Sequence, residues 1–488
     1  MTPRRRAALA VAVTLLLTGC TSYADTVADR RTPEAAAAPE APAPATPTEA
    51  PADPRCPSPR AAPERDRPVI ALDFRLEDDL RTVTGTQTVV FTPDLPTGEL
   101  VFRLVPNAPE SAATGNRLVV EDVRGRDVAS GGYEAAGAAG PGGLYVVTLD
   151  DVLAAGESTE VELDFTVSLG TGAFDRLGSD TGVSWWGSGA PLLAWEPGIG
   201  WARDPFVDVR GETAGSPVAD VTLRISAPER LTVLMTGDQA PPSKPSGGRR
   251  TWTSEEPVAR DVSVAVGEFT ATERTTPDGV RVTAGVLPGS ELPADQLADW
   301  TVQAIADLEQ RLGPFPYRTL TVPLLPDYGG GIEYPSSILE ATPEQYVLVH
   351  EVAHMWFYGM VGNSQFRDPW LDEAFATFAE ETVNPPAAEE VARRLDLPGD
   401  VGDSMGNFAD DGTSRYFATV YGKGGATLLA ARDAVGAEAF DLAIRCYVDA
   451  HAWTIATPAD VGAALADLPA ALAVLAASGA LDLDDVPA

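Results

Sequence analysis

Apolar and polar residues alternate with a period of two along much of the chain between residues 67 and 269. Such alternation is typical of strands that bury one face of a sheet. The apolar members of four such runs are Ile70, Leu72, Phe74 and Leu76; Val161, Leu163, Phe165 and Val167; Val221, Leu223 and Ile225; and Val262, Val264 and Val266. Gly- and Pro-rich turns separate the runs. The pattern predicts an N-terminal antiparallel β-sandwich or saddle-like sheet domain over residues 67–269.

A second domain is predicted over residues 270–488, and it opens with a strand near residue 280. The period changes from two to helical spacing near residue 293, which predicts a helix that a Gly-Pro pair ends at Gly313. A strand follows at residues 320–325, and a glycine-rich turn precedes the next helix. The mixture of strands and helices indicates an α+β domain.

Two more helices are predicted from their start and stop signals. Thr342 is a candidate N-cap followed by proline, and the helix that it opens is expected to run to about Val361. Asp368 and Pro369 open the next helix, which Pro385 must end. Both helices are therefore expected to be capped by side chains.

Helical spacing returns toward the C-terminus after a Gly/Asp-rich loop at about residues 398–414. It runs from about residue 420 to residue 447, and Thr457 and Asp460 have the spacing of a cap for one more helix. The Ala/Leu-rich end predicts a short helical extension with a frayed acidic tail at residues 482–485.

The chain of 488 residues is too long for one compact core, so two or more domains are expected. Its formal net charge of -36 argues against nucleic acid or an anionic membrane surface as a partner. A solvated acidic exterior explains this charge more simply than electrostatic steering of basic substrates does.

The N-terminus has the pattern of a secretory signal. Three arginines precede an apolar run from Ala7 to Leu17, which is too short to span a bilayer. The run ends Leu-Thr-Gly-Cys at Cys20, which resembles the lipobox of bacterial lipoproteins. This resemblance implies a signal peptide over residues 1–19, lipidation of Cys20 and anchoring to the cell membrane on its extracytoplasmic face.

Residues 20–66 are rich in Ala, Pro, Thr and Glu, and we expect them to be a disordered tether. Two other cysteines, Cys56 and Cys446, remain once Cys20 is lipidated. An exported protein is in a compartment that permits disulfides, but a bridge and two free thiols are both compatible with the sequence.

The chemistry of the chain is concentrated in two short stretches. His350 and His354 are four residues apart, so on a helix both imidazoles share one face and can reach one metal ion. Glu351 lies beside them, and Glu373 follows eighteen intervening residues after His354. Two histidines and one glutamate form a three-ligand zinc set with an open position for water, for which Glu351 is the candidate general base.

These stretches resemble the gluzincin aminopeptidases, the aminopeptidase N-like family of zinc metallopeptidases. The hallmark of that family is His-Glu-x-x-His, eighteen residues and a Glu within Trp-Leu-Asn/Asp-Glu-Gly-Phe-Ala, which matches Trp-Leu-Asp-Glu-Ala-Phe-Ala from Trp370. Ala374 stands where the family has glycine. The resemblance covers roughly residues 67–465, with its motifs between residues 328 and 425. It implies a thermolysin-like catalytic domain with one Zn²⁺ per chain, bound by His350, His354 and Glu373.

Two further motifs carry roles over from the resemblance. Tyr421 lies in a Tyr-x-Lys-Gly block and matches the family's oxyanion donor, whereas nearby Tyr416 lacks this context. Gly330, Gly331 and Glu333 match the family's Gly-Ala/Gly-Met-Glu-Asn strand, whose glutamate binds the substrate's free α-amino group. An ordinary turn glutamate is the alternative for Glu333.

Three residues near these motifs depart from the family pattern or stay ambiguous. Tyr334 replaces the family's asparagine, which leaves its effect on exopeptidase specificity open. Asp372 is either a residue that orients a metal-bound histidine or a solvated aspartate at a helix start. His451, near a predicted helix C-terminus, is expected to be structural.

The resulting hypothesis is a zinc aminopeptidase that removes single residues from peptides with a free N-terminus. A zinc endopeptidase with the same metal site, in which Glu333 does not bind an amine, is the alternative. A catalytically inactive peptide-binding lipoprotein is a third hypothesis, and it predicts the loss of a ligand or of the general base. His350, Glu351, His354 and Glu373 are all present.

Overall fold

The computed structural model describes residues 53–172, 176–211 and 215–482. These residues belong to one compact unit. The predicted signal peptide over residues 1–19, Cys20 and the tether as far as residue 52 lie outside the described residues, as does most of the predicted acidic tail. The lipid anchor therefore stays a prediction.

The described strands are β1 (Val69–Leu76), β2 (Thr82–Phe91), β3 (Thr97–Arg103), β4 (Arg117–Arg124), β5 (Val128–Glu134), β6 (Leu144–Leu153), β7 (Thr159–Ser168), β8 (Leu177–Asp180), β9 (Val183–Gly187), β10 (Leu192–Leu193), β11 (Trp195–Glu196), β12 (Gly200–Trp201), β13 (Ala219–Pro228), β14 (Thr232–Met235), β15 (Asp238–Gln239), β16 (Arg249–Ala259), β17 (Ser263–Gly267), β18 (Thr270–Thr275), β19 (Arg281–Val286), β20 (Thr319–Leu324), β21 (Gly331–Tyr334) and β22 (Ser337–Glu340). The helices are α1 (Pro109–Ala113), α2 (Ala294–Leu312), α3 (Gln345–Ala353), α4 (Trp370–Val383), α5 (Ala388–Leu395), α6 (Thr413–Tyr416), α7 (Gly424–Val435), α8 (Ala437–Ala450), α9 (Pro458–Ala464) and α10 (Pro469–Ala477). A π-helical turn, Phe417–Lys423, joins α6 to α7.

The first seventeen strands form the N-terminal β domain. Its largest sheet has seven strands in the order β15-β16-β13-β1-β2-β7-β4, and smaller sheets have the orders β10-β3-β6-β5, β14-β17-β9-β8 and β11-β12. The predicted alternation is observed: β1 buries Ile70, Leu72, Phe74 and Leu76 against one core. The large sheet is not wholly antiparallel, because β1 pairs in parallel with β13, which lies far from it in the sequence.

The fifth sheet begins the C-terminal domain, with the order β18-β19-β20-β22-β21. Helix α2 connects β19 to β20, and these two strands are parallel, as a helical crossover requires. The edge strand β21 carries Glu333. These observations confirm the predicted fold class, a mostly β domain followed by an α+β domain with helices at the C-terminus.

Helix α3 is shorter than predicted at both ends. It begins at Gln345 rather than after Thr342, and it ends at Ala353 instead of Val361. Neither α3 nor α4 has a side-chain hydrogen bond at its N-cap residue, so the prediction of two well-capped helices is wrong. Only α9 has the predicted arrangement, a capping box of Thr457 and Asp460.

Tertiary contacts explain the early end of α3. Tyr358 has a positive φ of 95°, which reverses the chain. The buried guanidinium of Arg260 donates to the carbonyl oxygens of Tyr358 and Met360, at 3.0 and 3.2 Å, and to that of Thr454. The N-terminal domain thus supplies the donor for carbonyl groups that a longer helix would have used internally.

The C-terminal end of the predicted tether is folded. Asp53 is buried, the Arg60 guanidinium donates to the Asp449 carboxylate at 2.7 Å, and the Ala61 N–H donates to the carbonyl oxygen of Asp449. The expectation of disorder is therefore wrong for residues 53–66. Composition did not reveal this order because the contacts are made by a few polar residues with a helix almost 400 residues away.

A disulfide joins Cys56 to Cys446 on α8, with the two Cα atoms 5.2 Å apart. This settles the alternative that the sequence left open. The bridge closes a loop with a sequence separation of 390 residues and links the N-terminal segment to the C-terminal domain.

We expect loss of this bridge to lower the free energy of unfolding by about 2–5 kcal/mol, because a long closed loop restricts the unfolded chain most. Cys56→Ser, Cys446→Ser and the double variant should show the same lower melting temperature in calorimetry, since each removes the same bridge. Additive losses, or melting temperatures equal to that of the parent protein, would contradict the prediction.

Candidate metal centre and cleft

The three predicted metal ligands converge on one point. The Nε2 atoms of His350 and His354 are 3.2 Å apart, and they lie 3.4 and 3.3 Å from Oε2 of Glu373. Helix α3 carries His350, His354 is the C-cap residue directly after α3, and α4 carries Glu373. This Glu373 oxygen is buried and has no hydrogen-bond partner among the described residues.

These distances fit a tetrahedral zinc ion. Ligand atoms about 2.0–2.1 Å from a tetrahedral zinc lie about 3.3–3.4 Å from one another. Two imidazole nitrogens and one carboxylate oxygen are also a donor set that zinc prefers. The spacing and the chemistry of the three side chains therefore both fit Zn²⁺.

The neighbours of the histidines orient their rings. Nδ1 of His354 lies 3.1 Å from the backbone oxygen of Phe357, which directs Nε2 toward Glu373. Nδ1 of His350 lies 4.0 Å from a carboxylate oxygen of Glu380. The sequence analysis missed Glu380, although it follows Glu373 by seven residues, two helical turns, and so shares its face of α4. Burial and the charge of Glu381 raise the pKa of Glu380 to about 7.

Of the two predicted alternatives for Asp372, the structure contradicts the solvated aspartate. It is completely buried, so it is not a solvated aspartate. Its carboxylate accepts hydrogen bonds from the Gln365 side chain at 3.3 Å and from the Glu373 N–H at 2.8 Å. Burial, together with the charge of Glu373, raises its pKa to about 8. Asp372 thus supports the start of α4 and the backbone of a ligand.

Glu351 and Glu333 form a second group of carboxylates beside the metal ligands. Ligand atoms of Glu333, Glu351 and His354 lie within 4.8 Å of one another. Each glutamate has one buried carboxylate oxygen without a hydrogen-bond partner in the described part of the chain. Burial, together with the charge of Glu333, raises the pKa of the Glu351 carboxyl well above its ordinary range.

Glycines let the edge strand β21 approach α3 closely. A Cβ atom on Gly331 would lie 2.6 Å from Cγ of Glu351, so only glycine leaves room for this side chain. Gly330 has a φ of 122°, which favours glycine. Both predicted glycines therefore shape the cleft through space and backbone conformation.

Tyr421 lies on the other side of the ligands. Its hydroxyl donates a short hydrogen bond to Oε1 of Glu373, and its ring is stacked on His350 with centroids 5.8 Å apart. Tyr416, the competing tyrosine, is completely buried behind Tyr421. Of the two, Tyr421 is the one that lines the cleft.

The two departures from the family motif are each accommodated by a glycine. The methyl group of Ala374 faces Gly424, where a Cβ atom would lie only 2.6 Å away. The ring of Tyr334 covers Gly187 of β9, where a Cβ atom would lie 2.1 Å from the tyrosine hydroxyl oxygen. Tyr334 is fully buried, and its packing on Gly187 holds β21 against the N-terminal domain.

The N-terminal domain also supplies a charged residue that the sequence analysis missed. The Arg176 guanidinium donates to the Tyr334 hydroxyl at 3.2 Å and lines the cleft near Glu333. Although burial opposes its charge, the neighbouring Tyr334 and Glu333 raise the pKa of Arg176 above its ordinary value. No motif around Arg176 distinguishes it from other arginines.

One cleft of about 720 Å³ lies between the N-terminal and C-terminal domains. It is lined by Tyr421, Arg176 and Glu380 together with His350, His354, Glu373, Glu351 and Glu333. Its walls include Val105, Val209 and Glu110 from the β domain. His451 lies elsewhere, at the C-terminal end of α8, where its ring contacts Tyr447. No described helix is long and apolar enough to cross a bilayer.

The sequence is similar to those of known peptidases. The family model described as the peptidase family M1 domain matches residues 334–477. Aminopeptidase M1-A of Oryza sativa subsp. japonica is 25% identical over 241 residues, which cover 42% of this chain and 27% of that protein. Glutamyl aminopeptidase of Bos taurus is 26% identical over 237 residues, which cover 42% and 25% of the two chains. The chain thus spans about a quarter of the length of these relatives.

The fold has a counterpart in a solved structure. An M1 zinc metallopeptidase from Deinococcus radiodurans superposes with a TM-score of 0.62 at 18% identity, covering 86% of this chain and 94% of that one. That similarity establishes the shared fold, and the family model matches the stretch that carries the three candidate metal ligands. Residues 334–477 thus match the peptidase family M1 domain, and the chain has the fold of an M1 zinc metallopeptidase.

Proposed function

We propose that the protein is a zinc aminopeptidase that hydrolyses N-terminal residues from peptides. The observation that carries this proposal is the position of Glu333, whose buried carboxylate lies beside the metal ligands with one oxygen free of hydrogen bonds among the described residues. Such a carboxylate is a counter-charge for a substrate's α-ammonium group. Ligand atoms of Glu333 and of the candidate metal ligand His354 lie within 4.8 Å of each other, so an ammonium group bound at Glu333 would lie beside the metal site.

Four side chains near the metal position have separate roles in hydrolysis. His350, His354 and Glu373 would hold one zinc ion, which when bound supplies a Lewis acid that acidifies water and polarises the scissile carbonyl. Glu351 accepts the proton of the attacking water and delivers it to the leaving amine.

Tyr421 completes the site as the donor to the carbonyl oxygen. Its hydroxyl already lies against Glu373, so it needs only a small movement to reach an oxygen beside the ligands. A donor held in this place stabilises the negative charge that develops on that oxygen during the reaction.

One observation favours the endopeptidase alternative. The positive charge of Arg176 interacts with Glu333 and therefore competes with a substrate ammonium group. One carboxylate oxygen of Glu333 still has no hydrogen-bond partner among the described residues, so we retain the aminopeptidase as the proposal. The third hypothesis, an inactive binding protein, is disfavoured because the ligands and the base lie together.

An aminoacyl anilide and its N-acetylated form test the exopeptidase assignment. We expect the free amine to be hydrolysed at least about tenfold better, because the acetylated substrate leaves Glu333 without a counter-charge. Glu333→Gln should reduce this preference, and Glu344→Gln, at an exposed glutamate before α3, should leave it intact. Equal kcat/KM for both substrates in the parent protein would favour the endopeptidase.

Glu351→Gln tests the general base. The amide cannot accept the proton of water, so kcat should fall by a factor of about 10² or more. Zinc content, measured by atomic absorption, should stay at one ion per chain because Glu351 is not a predicted ligand. Activity close to that of the parent protein, with zinc retained, would show that another group is the base.

Tyr421→Phe tests the oxyanion donor. Removing one such donor should lower kcat by a factor of about 10²–10³ with little change in KM. Tyr416→Phe is the matched control, since it removes a hydroxyl from the buried neighbouring ring and should affect kcat much less. Similar losses in both variants would contradict the assignment of Tyr421.

A further inference from the structure

A buried carboxyl group behind the cleft has no role in the chemistry described above. Glu340, the last residue of β22, is 1% exposed and does not line the cleft. Both of its carboxylate oxygens are buried and have no hydrogen-bond partner among the described residues. No other carboxylate in the described part of the chain has two such oxygens. A buried polar group in this condition calls for an explanation.

Glu340 lies directly opposite Gly331 in the sheet. The two residues are partners in the antiparallel pair of β21 and β22. They form a pair without mutual hydrogen bonds, since the Ala341 N–H donates to the carbonyl oxygen of Gly330 at 2.9 Å. The Cα atoms of such a pair are about 4.5 Å apart, and both residues face the same side of the sheet.

The side chain of Glu351 occupies the space that Gly331 leaves open. A Cβ atom on Gly331 would lie 2.6 Å from Cγ and 2.7 Å from Cδ of Glu351. Glu340 and Glu351 are therefore neighbours on this side of the sheet. Burial and the charge of Glu333 are the larger causes of the raised pKa of Glu351, and the charge of Glu340 adds to them. This interaction agrees with the short separation that the strand pairing implies.

The surroundings of Glu340 disfavour a charge. Its neighbours on the same side of the sheet, Leu324 on β20 and Ile338 on β22, are apolar and buried. The charged groups on this side from α3 and β21, Glu351 and Glu333, are acids like itself. No cationic side chain in the described part of the chain lowers its pKa. An ionised carboxylate without a counter-charge is strongly disfavoured in such a place, so the group keeps its proton.

Glu340 and Glu351 have complementary needs for a hydrogen bond. Burial raises the pKa of the Glu340 carboxyl well above its ordinary range, although the N–H groups of Ala341 and Thr342 oppose this shift. A neutral carboxyl has one O–H donor, whereas an ionised carboxylate only accepts hydrogen bonds. Oε2 of Glu351 is buried and lacks a partner among the described residues. Glu340 can therefore supply the donor that this oxygen lacks.

We propose that Glu340 stays neutral and donates a hydrogen bond to Glu351, directly or through one water molecule, and that it thereby positions the general base. This inference rests on the proposed peptidase function, in which Glu351 accepts the proton of water. Glu340 is a positioning residue, because it lies outside the cleft lining and keeps its own proton throughout the reaction. A neutral acid stabilises an ionised carboxylate and fixes its orientation, which leaves the other oxygen of Glu351 for the attacking water.

Three variants on one strand separate this role from packing. Glu340→Leu removes the donor but keeps a side chain of similar size, so kcat for an aminoacyl anilide should fall roughly tenfold with KM unchanged. Glu340→Gln keeps an N–H donor and should retain kcat within about threefold of the parent protein. Ile338→Val alters packing on the same side of β22 and is the matched control, with the kcat of the parent protein expected. Atomic absorption should give one zinc ion per chain in each variant.

Two further measurements do not depend on turnover. Replacing a buried carboxyl group that lacks partners with leucine should leave the melting temperature of Glu340→Leu unchanged or raise it. A residue that only supported β22 would lose stability together with kcat. In the zinc-loaded protein near neutral pH, the infrared difference spectrum between the parent and Glu340→Gln should contain the C=O stretching band of a protonated carboxyl group.

The outcomes distinguish this inference from the proposed function. The role of Glu340 would be overturned by parent-like kcat in Glu340→Leu, by an equal loss of kcat in Glu340→Gln, by a melting temperature that falls with kcat, or by absence of the infrared band. In each of these cases hydrolysis by the parent protein would still uphold the proposed function. Absence of hydrolysis of every aminoacyl anilide and peptide by the zinc-loaded parent would overturn the proposed function and this inference with it.

Discussion

The packing of α3 against α4 is the constraint on which the site depends. Two imidazoles on one helix and one carboxylate on another can share a metal only if their reactive atoms are held within about 3.4 Å of one another. Apolar side chains on both helices belong to one core, so their separation is set by packing and not by the metal alone. A displacement of either helix by one ångström would separate the ligand atoms from a common tetrahedral geometry.

Several parts of the chain maintain this packing at close range. Gly331 lets β21 pass beside Glu351, and Gly424 lets α7 approach Ala374 on α4. Arg260 fixes the chain reversal that follows His354 through hydrogen bonds to backbone carbonyl groups. The burial of this guanidinium is tolerable because its donors have acceptors at these carbonyls and at the oxygen of Ser216.

The N-terminal domain is part of the cleft as well as its support. Tyr334 packs on Gly187, and Arg176 brings a positive charge to the end of the cleft where Glu333 lies. The end of the cleft near Glu333 therefore carries charged groups from both domains. The disulfide at Cys56 adds a third connection, between the N-terminal segment and α8. The cleft, the β domain and this segment form one folded unit.

The sequence by itself determined the elements whose cause is local. The four-residue spacing of His350 and His354 places both on one helical face whatever the fold, and alternation in β1 identifies its buried face without reference to partners. Tertiary structure decided the end of α3, the burial of Asp372, the order of residues 53–66 and the position of Arg176. Each of these depends on contacts between residues far apart in the chain, such as Arg260 with Tyr358 or Arg60 with Asp449. Periodicity and capping rules describe only neighbouring residues, so such long-range hydrogen bonds leave no local pattern in the sequence.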